Sequence, residues 1–553
     1  MSTESQASPR HQHPLLPVEV QEEFRRLGYW EEITLADIVQ RGAERHPGRV
    51  AITGETQLTY AHLWDQARRL AGTLREAGLA PGEFVLAVMA NSWQGIVLEV
   101  AISVAGAALA PQSAHVSPAL ALNTFEQLDC RGLVLQADLL EKPQWRETLA
   151  LMSARLNDRP VMLKGDGPAD ARVALQLEDA VENGSLIEPV KPEPCQPCLV
   201  LSTGGTTGTP KSILHCTEAL VYAARQFGAA TGYSESDVHV AFAPYGHAGG
   251  SVFEVYMPLL YGASILPIAR WRPKLVAQAI ERWGGTYFIT MGTHIFDLLT
   301  LDAEMRACLR SVRVVTSGAG PDSLFEDGER ELGFPIVRVY GCSECPGHAI
   351  GRLDDPAEVR LRQDGVPFPG LEHRILDTSG KPVEPGKAGE YQCRGPNLFM
   401  GYAGQPEVTA QAVTEDGFYR SGDLMVQSPQ GYVNWSGRTK DIIRRGGLQI
   451  DPIEMETMLV KHPKVAMVVV VGEPDPRLGE RAAIVAVPER AEDSLTLEEL
   501  CDHLTEQGLP KQNLPERLMV TDDLPRTELG KFHRVKIKNM VAEHAERSLE
   551  HVG

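Results

Sequence analysis

The run STGGTTGTPKS at residues 202–212, placed directly after the apolar stretch CLVL at 198–201, restricts what this chain can fold into more than any other feature. Four apolar residues that end abruptly in glycine and threonine read as a buried strand feeding a tight loop. Glycines let backbone N–H groups come close to an oxyanion, hydroxyls add donors, and Lys211 adds a point charge. Thr203, Gly204, Gly205, Thr206, Thr207 and Gly208 are therefore the set expected to surround phosphate oxygens. Pro210 stands where a P-loop needs the glycine before its lysine, and no G-x-G-x-x-G pattern fits, so neither of those nucleotide-binding folds is implied.

The surrounding pattern agrees with a parallel sheet. VAI at 50–52 is followed by a helix opened by Thr59 with Leu63, Ala67, Leu70, Ala71 and Leu74 on one face, then FVLAV at 84–88, a helix from Ile96 and ALA at 108–110. This is βαβ grammar, with helices covering both faces of the sheet. A proline- and cysteine-bearing stretch at 190–197 divides that block from a second, whose strands include 198–201 and 312–315. From about residue 365 short strands with Gly/Pro turns predict a β-rich subdomain. After Gly437 come a strand at 442–443, a helix opened by Asp451 and Pro452, a valine run at 468–471 and a helix capped by Thr496 with Glu499 three residues on. The expected architecture is α/β: a large N-terminal domain over residues 1–438, built of two α/β lobes plus a β-rich subdomain, and a small mobile α+β domain over residues 439–553.

Further motifs follow in order: PYGHAGG at 244–250, SGAGP at 317–321, YGCSE at 340–344, GFYRSGD at 417–423, GRTKD at 437–441 and LPRTELGK at 524–531. Together with the glycine-threonine loop they resemble the adenylate-forming superfamily, which holds acyl-CoA synthetases, aryl-acid ligases, nonribosomal adenylation domains and luciferases. The resemblance spans nearly the whole chain. It is strongest to stand-alone acyl-CoA synthetases of the cyclohexanecarboxylate and aryl-acid ligase type, which FRRLGYW at 24–30 also resembles. Gly204 replaces the family's serine and Ser212 its final glycine.

The resemblance implies ATP, Mg²⁺ and coenzyme A as cofactors, and it implies roles for particular residues. His247 lies beside the substrate carboxylate, and Gly318, Ala319 and Gly320 line the adenine and acyl pockets. Tyr340 stacks on adenine within Tyr340, Gly341, Cys342 and Ser343; the Ser343 hydroxyl meets the α-phosphate and Glu344 is the metal ligand, a hard carboxylate suited to Mg²⁺. Asp423 and Arg438 hold the ribose, and Lys440 is the hinge. Lys531 is the catalytic lysine, acting with His247, Glu344 and Lys211. A thiol enters beside Gly446 and Gly447, where Arg444 and Arg445 are placed to meet CoA phosphates. The implied reaction joins a carboxylate to the α-phosphorus of ATP with loss of pyrophosphate, then passes the acyl group to a thiol.

Residues 244–250 hold no Asp to grip an α-ammonium, which disfavours amino acids, and Ala248 stands where catechol-acid ligases carry Asn. A hydrophobic, cyclic or polycyclic acid without an α-amine is expected, with CoA or a carrier-protein pantetheine as acceptor. An ATP-binding pseudoenzyme and a luciferase-like oxygenase are the other readings. A formal charge of −20 repels nucleic acid and anionic membranes. No stretch reaches the roughly 20 apolar residues of a membrane span, and MSTESQASPRHQH lacks a signal-like apolar core, so a cytoplasmic location is expected. Two C-x-x-C pairs, Cys195/Cys198 and Cys342/Cys345, would make a tetrahedral zinc site if they met, but the spacings are expected to be coincidental.

Overall fold

The computed structural model describes residues 12–156, 159, 161–165, 173–202, 211–318, 320–446, 448–490, 492–527 and 530–550. Two mostly parallel sheets form the large domain. In the first, eight strands run in the order Gly401–Tyr402, Ser212–Cys216, Pro197–Ser202, Ala108–Gln112, Phe84–Val88, Gly132–Gln136, Val161–Lys164 and Val173–Gln176. The second has nine, with Ile336–Cys342, Val314–Ser317, Tyr287–Thr290, Val238–Ala241 and Ser264–Pro267 at its centre. Helices cover them as the apolar periodicity requires. The helix Tyr60–Glu76 is capped by Thr59, whose side chain accepts from the His62 N–H. The helix Trp93–Val104 buries nearly all its length, Glu99 included.

The two lobes differ from the expected division in one respect: they exchange strands at their boundaries. Val50–Ile52 does not join the sheet of Phe84–Val88 but pairs in parallel with Ser264–Pro267 through Ile52 and Ile265. Pro197–Ser202, expected in the second lobe, instead joins the first, pairing in parallel with Ala108–Gln112 through Leu109 and Leu199. An apolar run records that a strand is buried on both faces, not which neighbour buries it.

A four-stranded antiparallel sheet, Glu372–Leu376, Ala388–Arg394, Tyr419–Gln427 and Val433–Arg438, is the expected β-rich part. The C-terminal unit is a sheet of Leu448–Ile450, Ile443–Arg445, Gly479–Pro488 and Val465–Asp475, with Arg517–Val520 parallel to Gly479–Pro488. One face of it packs Met455, Leu459, Leu500 and Leu504, the other Leu524, Ile537 and Val541. Asp451 caps the helix Pro452–Leu459 by accepting from the Ile453 N–H, and Thr496 caps Leu497–Glu506 by accepting from Glu499. Among the described residues no helix is long and apolar enough to cross a membrane.

Candidate active site

The hairpin of Tyr419–Gln427 and Val433–Arg438 sets Asp423 opposite Arg438 in antiparallel register. Side chains directly opposite on one face lie close together, and here the Arg438 Nε donates to Asp423 Oδ1 at 2.9 Å. The Trp435 indole N–H donates to the same oxygen at 3.2 Å, and the Tyr340 hydroxyl donates to Oδ2 at 2.7 Å. Asp423 is thus a buried carboxylate fixed from three sides. Tyr340 lies in the strand Ile336–Cys342 and meets His348 and Tyr391 edge-on, with ring centroids 5.7 and 5.8 Å away.

Glu344 sits at the turn between the strands Ile336–Cys342 and Cys345–Ile350. Its Oε1 accepts from the Tyr402 hydroxyl at 2.8 Å, and the Lys211 ammonium lies 4.4 Å from the centre of the Tyr402 ring. Tyr402 therefore links the turn carboxylate to the lysine that closes the glycine-threonine loop. It was not singled out in the sequence, where its only signal is the GY pair in a two-residue strand against Ser212–Cys216. The adjoining Ser343 carbonyl accepts from His215 Nε2 at 2.8 Å. Gly341 has no room for a side chain, since a Cβ would fall 2.9 Å from the Gly347 nitrogen.

His247 lies in the turn before an eight-residue π-helix, Gly249–Tyr256, which sequence reasoning did not anticipate. Such i→i+5 winding is rare and concentrates at functional sites. Here it is held by buried carboxyls: Glu254 Oε2 accepts from the Ala243 N–H at 2.8 Å, and the Ser251 hydroxyl lies within bonding distance of Glu99 and of the Tyr245 carbonyl. A Cβ on Gly250 would fall 2.2 Å from the Pro244 carbonyl oxygen. Burial, and after it the Lys531 ammonium, pushes His247 down to about 4, so the ring is neutral near pH 7.

Lys531 comes from the far end of the chain. The Thr293 hydroxyl donates to the Gly530 carbonyl at 2.6 Å, and Arg526 pairs with Asp297 at 3.2 Å, docking the C-terminal segment on the large domain. Lys531 is reached by solvent, yet enclosure by the surrounding protein and then the Arg438 charge hold its pKa below the ordinary lysine value, while Asp423 and Cys342 act in the opposite sense. Lys440 is lowered in the same way, by burial and then by Arg438. Lys531, Arg438, Asp423 and His247 thus converge, and Glu344, Lys211 and Lys440 stand around them.

The remaining expected residues divide. Cβ atoms on Gly318 and Gly320 would meet Met291 Cε at 2.8 Å and Phe325 Cζ at 2.7 Å, so this stretch is closely packed. Gly446 takes a left-handed φ of +54°. Thr203, Gly204, Gly205, Thr206, Thr207, Gly208, Ala319 and Gly447 lie outside the described residues. Arg445 is committed to its own domain, pairing with Glu516 at 2.5 Å and donating to the Gln512 carbonyl, whereas Arg444 is exposed. The two C-x-x-C pairs do not meet. Cys198 contacts the Tyr256 hydroxyl, Cys195 groups with Cys216 and Glu218, and Cys345 groups with His348 and Cys393.

Comparison with known proteins gives the family and the fold. The profile of the AMP-binding enzyme family matches residues 39–403, and that of the AMP-binding enzyme C-terminal domain matches 454–531. The medium-chain fatty-acid–CoA ligase of Escherichia coli (strain K12) is 30% identical over 521 residues, covering 93% of this chain and 92% of the relative. The salicyl-AMP ligase / salicyl-S-ArCP synthetase of Mycobacterium tuberculosis (strain ATCC 25618 / H37Rv) is 31% identical over 531 residues, covering 92% and 91%. In fold the chain matches the crystal structure of ATP-bound MatB from Rhodopseudomonas palustris, with a TM-score of 0.82 over 92% of this chain and 99% of that one at 23% identity.

Proposed function

Because the chain belongs to the AMP-binding enzyme family, we propose that this adenylate-forming enzyme activates a hydrophobic, cyclic or polycyclic carboxylic acid and transfers the acyl group to coenzyme A. The observation that carries the first step is the convergence of Lys531 with Arg438, Asp423 and His247 from three separate parts of the chain. A carboxylate and a triphosphate repel one another, so the site must supply positive charge where they meet. Lys531, enclosed by protein, places an ammonium there, and Lys211 places a second beside Glu344. Neutral His247 can donate a hydrogen bond to the acid without adding a charge that would trap it. Tyr340, Asp423 and Arg438 hold the nucleoside end while the acid attacks the α-phosphorus and pyrophosphate departs. Enzymes of this kind use ATP with Mg²⁺; the Glu344 carboxylate, 8% exposed and oriented by Tyr402, is a hard oxygen donor that fits the ion, which when bound neutralises phosphate charge.

For the second step we place the domain boundary at residues 438/439, with Lys440 as pivot and Gly446 and Gly447 beside the thiol path. The absence of an α-amine from the acid is supported by Glu99 and Glu254, two carboxyls beside the 244–250 turn, which face Ser251 and the Ala243 N–H inside the core. A second acceptor, a carrier-protein pantetheine, is favoured by the relative named for an S-ArCP product and by Arg445 being engaged with Glu516 rather than open to CoA phosphates. A panel of carboxylic acids scored by ATP–pyrophosphate exchange, then by thioester formation with CoA and with a pantetheinylated carrier, tests all of this. ATP binding without exchange for any acid would sink the enzymatic reading, and transfer to carrier alone would replace CoA as acceptor.

A further inference from the structure

We propose that Cys345, His348 and Cys393 form a binding site for a thiophilic divalent cation, Zn²⁺ in class, that clamps the hairpin carrying Glu344 to the antiparallel sheet carrying Asp423. Cys345 and His348 lie on the strand Cys345–Ile350 and Cys393 on the strand Ala388–Arg394. One ligand atom from each lies within 4.8 Å of the others, and all three residues are buried. The two sulfurs are 3.8 Å apart. That matches the edge of a tetrahedron about a zinc ion, since two thiolates each about 2.3 Å from the metal stand about 3.8 Å from one another.

The other donors are oriented for the same purpose. His348 Nε2 is engaged by the Tyr391 hydroxyl, while Nδ1 is a buried nitrogen with no hydrogen-bond partner. An imidazole held through one nitrogen with the other free is how metal-binding histidines are oriented. Asn397 donates its amide N–H groups to the Pro346 and Gly347 carbonyls, which fixes the direction of the amide and turns Oδ1 towards Cys345 Sγ at 3.6 Å. Two sulfurs and one nitrogen make a three-donor set with Asn397 Oδ1 beside one sulfur, and binding releases the two thiol protons to solvent.

The second buried group, Cys195, Cys216 and Glu218, lacks these properties. Glu218 Oε1 already accepts from the Cys195 N–H at 3.0 Å, and the Arg25 guanidinium reaches Cys195 Sγ at 3.8 Å, putting a positive charge where a cation would sit.

The test uses the full chain, reduced, stripped with chelator and titrated with Co²⁺ as an optical stand-in for Zn²⁺. The expected result is a near-ultraviolet thiolate-to-cobalt band saturating at about one ion per chain, with Tm raised by several degrees on adding Zn²⁺. Cys393→Ser should abolish the band and the Tm rise, with His348→Gln read in its place should Cys393→Ser not fold, and Cys195→Ser should leave both intact. No band in the unsubstituted protein, or a band that Cys195→Ser removes and Cys393→Ser keeps, overturns the proposal. Pyrophosphate exchange measured on the same stripped samples reports separately on the adenylation reading.

Discussion

In the proposed reaction Lys531 supplies one of the two ammonium groups that face the meeting anions, so Lys531→Ala should lower adenylate formation by about 10²–10³-fold, the usual effect of losing one preorganised charge or donor at a reacting centre. Thioester formation from supplied acyl-AMP should change little; equal losses in the two half-reactions would deny Lys531 a role confined to the first. Tyr402→Phe removes the hydroxyl that orients Glu344. A hydrogen bond to a charged group is worth about 1.5 kcal/mol or more, so the half-saturating Mg²⁺ concentration in pyrophosphate exchange should rise about 10-fold, and an unchanged Mg²⁺ dependence would remove Tyr402 from the site. The contrast between these residues also marks what sequence could reveal. Lys531, Asp423 and Glu344 stand in runs whose composition and order are rare by chance, and the structure brings them together. Tyr402 stands in no such run, because its role comes from where a two-residue strand lands, and that is set by packing at a distance.

In the proposed reaction the element that completes the site is the C-terminal segment, and among its described contacts with the large domain are the Thr293 hydroxyl on the Gly530 carbonyl and Arg526 on Asp297. Polar contacts of this kind suit the proposed undocking between half-reactions. Thr293→Val deletes one hydrogen bond, about 1 kcal/mol, and should shift the docking equilibrium about 5-fold, slowing adenylation by that factor while thioester formation from acyl-AMP is kept or improved. Loss of both half-reactions would mean that Thr293 supports the fold rather than the latch. Caps written locally were legible: Thr59, Asp451 and Thr496 all accept the N–H bonds expected of them. The π-helix Gly249–Tyr256 was not, because its winding is forced by tertiary bonds from Glu254 and Ser251 and not by any period in the residues themselves.

At the scale of the whole molecule, six histidines among the described residues, His13, His215, His239, His247, His294 and His348, are pushed down to about 3 or 4, in each case first by burial. Between pH 6.5 and 4 the unfolded chain binds protons at these positions that the folded chain does not, so these rings contribute stability that rises with pH in that window, while the Glu99 and Asp451 carboxyls, pushed up by burial to about 8 and about 6, act in the opposite sense. Tm should hold near pH 7 and drop steeply below pH 6; a flat Tm from pH 7 to 4.5 would mean that these rings are not buried as described. The sequence divided the large domain into two lobes correctly in kind, and erred only in assigning Val50–Ile52 and Pro197–Ser202, since a strand buried on both faces carries no mark of its partner. That exchange has a bearing on how the protein is made. Val50–Ile52 leaves the ribosome long before Ser264–Pro267 exists to receive it, and the first sheet is not closed until Gly401–Tyr402 has been translated. No shorter amino-terminal piece can be complete, so the nascent chain must wait with unpaired strand edges exposed to chaperones or to one another, and ribosome-stalled lengths ending before residue 402 should be protease-sensitive throughout.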